Sequence, residues 1–240
     1  MNGAEQVSFV CGFGDPAAGI GGLAWDLGEP GALLLSDGEV RPATFALEEG
    51  GDAATLEITA GDAATEATLG PRTAEIPLGG DVVGPTVVVC TADVLPKQGS
   101  QALQCPGQIS RWLRDPVEGA GTFRHLAIDA GDESLLVAQS QGEPGGDHGD
   151  ERAAAWLIRG EDDSRFEDAF ISTQYDGGGD PTRFGLELWP EEAERASRAA
   201  AMRVTASPLG GVRMGNAWAG LFRCHTDGNE GVGSYLLWRG

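Results

Sequence analysis

The chain has 240 residues, 37 Asp+Glu against 16 Lys+Arg, a formal net charge of -21, 41% apolar residues, 38 Gly and 13 Pro. This length suits one large domain or two small ones, each able to bury a core, and the apolar share excludes a largely disordered chain. The acid excess argues against nucleic acid and anionic lipid as partners, because such a surface gains nothing from counterion release.

In chain order, short apolar runs closed by turn residues read as strands. Residues 6–12, 22–27 and 32–35 come first, and Asp37-Gly38 marks a hairpin into 40–47. Gly51-Asp52-Ala53-Ala54-Thr55 then recurs as Gly61-Asp62-Ala63-Ala64-Thr65. The spacing is one strand plus one turn, so it predicts a meander with Leu56, Ile58, Ala67 and Leu69 on one face. The β-branched run 82–90 reads as a buried strand, followed by 108–113 and a break at Asp115-Pro116. Residues 123–128 and 134–140 alternate and predict a hairpin; within it, His125 reads as a sheet residue. Gln141 to Glu151 is a polar, Gly-rich loop; 153–158, 166–174 and 183–189 are further strands. Pro190, with Glu191, Glu192 and Glu194 in the first turn and Arg195 and Arg198 beyond, predicts a helix over 190–202. Residues 212–225 and 231–238 close the chain as a long hairpin over Asp227-Gly228.

These elements predict an all-β protein with at most one short helix; if it is built of two β-units, the boundary falls near Asp115–Gly121. No run reaches the ~18 apolar residues of a spanning helix, and the opening MNGAEQVSFV lacks the features of a secretory signal. A cytoplasmic protein without a membrane span is the expectation. The cysteines Cys11, Cys90, Cys105 and Cys224 form no C-x-x-C pair and stand at no zinc spacing with the three histidines, so no metal and no cofactor is expected. Oligomeric state is left open.

Three features point to chemistry. The loop Gly145-Gly146-Asp147-His148-Gly149-Asp150-Glu151 places a histidine between carboxylates, which suits proton transfer with Asp147 orienting His148; the alternative is a solvated acidic loop. Ser172-Thr173-Gln174-Tyr175-Asp176 gathers polar groups at a strand end, where Tyr175 and Asp176 would fix a polar group of a ligand; the alternative is a capped turn. Six tryptophans are present, of which Trp156 and Trp218 follow polar loops and are the candidates for an apolar pocket wall, against ordinary core packing. No nucleophile elbow, Walker loop or H-E-x-x-H helix occurs.

Phe13-Gly14-Asp15-Pro16 with Gly19-Ile20-Gly21-Gly22, then Asp147-His148, then Trp218 to Arg223 running into Gly231-Val232-Gly233-Ser234-Tyr235, resemble in order three blocks of the carotenoid hydratase/AttH-like proteins. The mid-chain block of that group reads R-D-H-S-W-G; here Gly146 stands before Asp147, and Gly-Asp-Glu follows His148. The resemblance implies an all-β fold of two lipocalin-like antiparallel barrel or sandwich units packed together, residues 1–118 and 119–240, with a hydrophobic ligand site between or inside them. It also implies cofactor-independent acid–base chemistry, cyclisation, hydration or isomerisation, on an isoprenoid-like or polycyclic small molecule. A binding or carrier protein with the same apolar pocket and no chemistry is the alternative.

Overall fold

The computed structural model describes residues 8–15, 18–77, 85–96, 102–131, 134–147, 150–159, 162–166, 168–189, 202–226 and 229–240. They form seventeen strands: β1 (Ser8–Asp15), β2 (Ile20–Leu27), β3 (Glu29–Ser36), β4 (Glu39–Gly50), β5 (Ala53–Ala60), β6 (Ala63–Pro77), β7 (Thr86–Pro96), β8 (Leu103–Trp112), β9 (Thr122–Gly131), β10 (Ser134–Gly142), β11 (Arg152–Arg159), β12 (Asp162–Phe166), β13 (Asp168–Tyr175), β14 (Pro181–Trp189), β15 (Met202–Met214), β16 (Ala217–Thr226) and β17 (Asn229–Arg239). Strands β1 to β8 close into a barrel through the β1–β8 pair. The others form one antiparallel sheet in the order β12-β11-β10-β9-β17-β16-β15-β14-β13. The protein is thus all-β, as the strand pattern predicts, with two lipocalin-like units, as the family resemblance implies.

The turn chemistry sets the hairpins. Asp37 and Gly38 both have positive φ, the geometry of a type I′ turn, and Gly215 has positive φ at the first central position between β15 and β16. The repeated Gly-Asp pairs 51–52 and 61–62 do the same work, and Leu56, Ile58, Ala67 and Leu69 share the barrel core as the echo predicts. Two strand assignments are corrected. The run 212–225 is not one strand but β15 and β16, split at Gly215-Asn216, because a single Gly suffices for a two-residue loop inside an otherwise apolar run. The run 166–174 spans the end of β12 and most of β13. Residues 190–201, which hold the predicted helix, lie outside the described residues, and Met202 already belongs to β15.

Period-2 alternation sorts the side chains into three layers. Inside the barrel lie Cys11, Ala24, Leu34, Leu56, Ile58, Val88 and Ile109. Inside the curled sheet lie Leu126, Leu136, Ala155, Ile171, Phe184, Trp218, Phe222 and Tyr235. Residues of β11 and β13, near opposite ends of the sheet, share that cluster, so the sheet wraps around it. The third layer is the seam between the units. One apolar patch there joins Leu23, Trp25, Leu33 and Trp112 of the barrel to Phe123, Ala219, Leu221 and Leu236 of the sheet. A second joins Val87 to Ala127, Leu135, Val137 and Trp156. All four cysteines are buried, and none is in a disulfide. Burial pushes Cys105 up to about 11 and Cys224 up to about 12, so both are held as thiols. Among the described residues no helix is long and apolar enough to cross a membrane, and no group of three or more His, Cys, Asp or Glu is placed to hold a metal.

Candidate functional site

Two places concentrate polar groups. The first is the seam. Strand β9 turns His125, Ala127 and Asp129 toward the barrel and Arg124, Leu126 and Ile128 into its own sheet, while β8 presents Gln108, Ser110 and Trp112. A buried polar line results. His125 Nε2 lies 3.1 Å from Ser110 Oγ, Ser110 Oγ donates to Gln108 Oε1 at 3.0 Å, and Trp112 Nε1 donates across the seam to Gln139 Oε1 at 3.3 Å. The Trp112 indole also packs edge-on against His125 at 5.3 Å between centroids. Burial holds the His125 pKa down at about 3, so the imidazole is neutral across the physiological range. Among the described residues, His125 Nδ1 and Gln108 Nε2 are buried without a hydrogen-bond partner.

Beside this line the seam opens into a cleft. A cavity of about 460 Å³ is bounded by Val89, Cys90, Gln104, Cys105, Pro106 and Leu135, with Asp129 and Ser134 in its wall. It shares Pro106, Gly107, Asp129 and Leu135 with a narrower pocket of about 50 Å³ that runs on to Gly12, Gln108 and Ser234. Among the described residues lining both, Asp129 is the only carboxylate. The glycines at 12, 14, 22, 107 and 233 line much of the narrow end.

The second place is the inner face of the sheet near its rim. Arg124 and Glu151 form a buried ion pair, their side chains 4% and 9% exposed, and Ser140 Oγ donates to the same Glu151 oxygen at 2.8 Å. Thr173 Oγ1 and the Tyr235 hydroxyl are 2.9 Å apart. The Arg239 guanidinium lies over the Tyr175 ring at 4.7 Å. Burial raises Tyr235 above the ordinary tyrosine range. Burial also acts to raise Tyr175, but the Arg124 charge and hydrogen bonds from Arg239, Arg124 and Thr173 outweigh it and leave that phenol lowered. The members engage one another, and the cluster closes the rim of the sheet.

The residues singled out from the sequence fall in different places. Tyr175 sits in the rim cluster. Asp176 is exposed, and its Oδ1 accepts from the backbone N–H of Gly178 at 2.8 Å and of Asp180 at 2.9 Å, so it organises the turn into β14. Trp218 lies inside the sheet over the Gly211–Gly220 pair, where a Cβ on either glycine would collide with the indole, and packs on Phe222 and Tyr235. Trp156 lies on the other face, in the seam patch with Val87, so the two indoles do not line one wall. Asp147 is exposed, with its carbonyl accepting from the Asp150 N–H; His148 lies outside the described residues. The loop that carries this pair is anchored by Glu151. Sequence reasoning passed over Arg124, Glu151, Asp129 and Gln108. For Arg124 a signal existed: a cation in register with Leu126 and Ile128 on an apolar face.

No protein-family model matches the chain, and no curated protein matches it. Solved structures do. A protein assigned as AttH from Nitrosomonas europaea superposes with a TM-score of 0.69 at 11% identity, covering 99% of this chain and 94% of that one. Kievitone hydratase from Nectria haematococca superposes with a TM-score of 0.68 at 9% identity, covering 99% and 90%. CghA in complex with Sch210972 gives 0.51 at 12% identity, covering 97% and 88%. The fold is shared along nearly the whole chain, and the resemblance to the carotenoid hydratase/AttH-like proteins read from the sequence holds at the level of fold.

Proposed function

We propose that the chain is a cofactor-independent acid–base catalyst acting on a neutral hydrophobic small molecule, isoprenoid-like or polycyclic, held in the cleft where residues 1–118 meet residues 119–240. The observation that carries this reading is the cleft itself: about 460 Å³, in the range of small-molecule sites, apolar over much of its wall, with the carboxylate of Asp129 among the described residues that line it. A single carboxylate is sufficient for an isomerisation, because the proton taken from one carbon is returned to another. In a hydration or cyclisation the same group delivers a proton to an alkene carbon and recovers one from the attacking water or the adjacent carbon. Apolar walls favour a neutral substrate and keep bulk water from a developing cation. Kievitone hydratase shares the fold, which supports a reaction of this class here.

The test is proton exchange. Polycyclic and isoprenoid alkenes and enones are incubated with the protein in D₂O and followed by NMR. The expected outcome is deuterium entering product or recovered substrate, with Asp129→Asn slowing it by about 100-fold or more. Binding without deuterium entry supports a carrier with the same cleft. Loss of exchange in His148→Ala but not in Asp129→Asn transfers the proton-carrying role to the Asp147–His148 loop.

A further inference from the structure

The narrow end of the cleft specifies what the ligand must carry. Gln108 is 4% exposed, and its amide oxygen is engaged by the Ser110 hydroxyl. That hydroxyl is in turn in contact with His125 Nε2. Because the Ser110 hydroxyl gives its one hydrogen to Gln108 Oε1, its contact with the neutral imidazole calls for the tautomer with hydrogen on His125 Nε2, donating to Ser110 Oγ, and the Gln108 N–H₂ is turned away from Ser110. The buried Gln108 Nε2 then has no partner among the described residues, although leaving a buried donor unpaired is costly. Gln108 and Gly12 both line the pocket of about 50 Å³. A Cβ on Gly12 would stand 3.8 Å from Nε2 and 3.2 Å from the Gly22 carbonyl oxygen, so the glycine keeps open the space in front of the amide. That space admits one functional group rather than a ring.

We infer that Gln108 is an oxygen-recognition residue: the ligand is a neutral ring system bearing a carbonyl oxygen, which enters the narrow pocket and accepts a hydrogen bond from Gln108 Nε2. The inference rests on the cleft being the ligand site. It adds that the ligand is oxygenated and uncharged at that end, because Gln108, Ser110 and neutral His125 supply no cation for an anion, and the Asp129 carboxylate in the same wall repels one. For a ketone or enone substrate the amide also stabilises negative charge that gathers on the oxygen when a proton leaves the adjacent carbon.

The probes are fluorenone and fluorene, the same ring system with and without the carbonyl oxygen, with dissociation constants measured by calorimetric titration. Wild-type protein is expected to bind fluorenone about tenfold tighter than fluorene, the size of one hydrogen bond to an otherwise unpaired buried donor. Gln108→Leu is expected to remove that difference while leaving fluorene affinity in place. Should the leucine variant fail to fold, Gln108→Glu retains the acceptor for Ser110 and replaces the amide nitrogen by oxygen, and the fluorenone preference is again lost. Leu135→Trp, which fills the shared part of the cleft, should weaken both probes. Equal affinities in the wild type, or a preference that survives both Gln108 variants, overturns the role of Gln108 and leaves the cleft standing. Binding that Leu135→Trp does not touch, or no binding of either probe, overturns the cleft and this inference with it.

Discussion

The interior of the closed barrel and the interior of the curled sheet solve the same packing problem differently. An eight-stranded barrel is just wide enough for side chains to fill, and this one is filled by alanines, cysteines and aliphatic residues such as Ala24, Ala32, Ala67, Cys90 and Val94. Its ion pair, Arg111 with Glu49, sits where Glu49 is 43% exposed. The nine-stranded sheet is wider, and aromatic rings take up the space: Phe184, Phe222 and Tyr235 meet edge to face with Trp218 beside them. Its ion pair, Arg124 with Glu151, is nearly sealed from water. The lesson is that a wide interior leaves volume that apolar rings do not fill, and that polar groups can occupy it only as a satisfied set.

Replacing one member of each ion pair tests this most severely. Arg124→Ala leaves Glu151 buried without its cation, and the expected loss of stability is about 3–5 kcal/mol. Arg111→Ala exposes a carboxylate that water already reaches, and the expected loss is about 1 kcal/mol or less. Guanidinium unfolding curves measure both. Equal losses would remove the contrast between the interiors. The double variant Arg124→Met with Glu151→Leu sharpens it further, because removing both charges is expected to recover most of what Arg124→Ala loses.

The sequence made the architecture legible for local reasons. Asp37-Gly38 and the two Gly-Asp pairs each dictate a hairpin turn, and alternation in 123–128 and 134–140 gives both strands and facing. It made the functional places legible only in part. Tyr175 stands out in the sequence because polar groups gather at its strand end, and the structure sets it in the rim cluster with Asp176 beside it in the turn. Asp129 and Gln108 are far apart in the chain and gain meaning only when β9 is laid against β8, which depends on how two closed surfaces dock. Glu151 shows the same limit inside one unit. It reads as one more acid in the loop 141–151 until Arg124, on β9, is brought to it. Long-range register decides these cases, and local periodicity does not carry it.

The rim of the sheet offers a spectroscopic version of the contrast, since the chain has only two tyrosines and both are there. Phenolate absorbance near the tyrosinate band should rise in two separated steps. Tyr175, lowered by the Arg124 charge and its hydrogen bonds against the effect of burial, titrates below the usual value of about 10. Tyr235, raised by burial, does not titrate until well above it. The linked stabilities have opposite signs. The Tyr175 contribution is present above pH about 10 and is lost as pH falls through its lowered value; the Tyr235 contribution is present below pH about 10 and is lost as pH rises toward its raised value. Tyr175→Phe should delete the first step and Tyr235→Phe the second. A single merged step would mean that the two phenols share one environment.

The smallest effect is expected at Asp176, which follows Tyr175 directly in the chain but is exposed, outside the low-dielectric setting of that cluster. Its carboxylate is held below the ordinary aspartate range chiefly by the backbone N–H groups of Asp180 and Gly178. A lowered carboxyl stabilises the folded chain above its unfolded value and loses that contribution as pH falls through the folded one, so the effect belongs to acid pH alone. Asp176→Ala should lower the melting temperature at neutral pH by less than either arginine-pair variant. The gap between variant and wild type should close as the solution is made acidic, since the carboxylate that accepts from both N–H groups is then protonated in either case. Fluorenone affinity in the cleft should not change. A loss of probe binding in Asp176→Ala, with the melting temperature unmoved, would make the residue a ligand contact and join the rim of the sheet to the seam as one site; a thermal effect without a binding effect keeps them apart, with the turn at 176–180 serving β13 and β14.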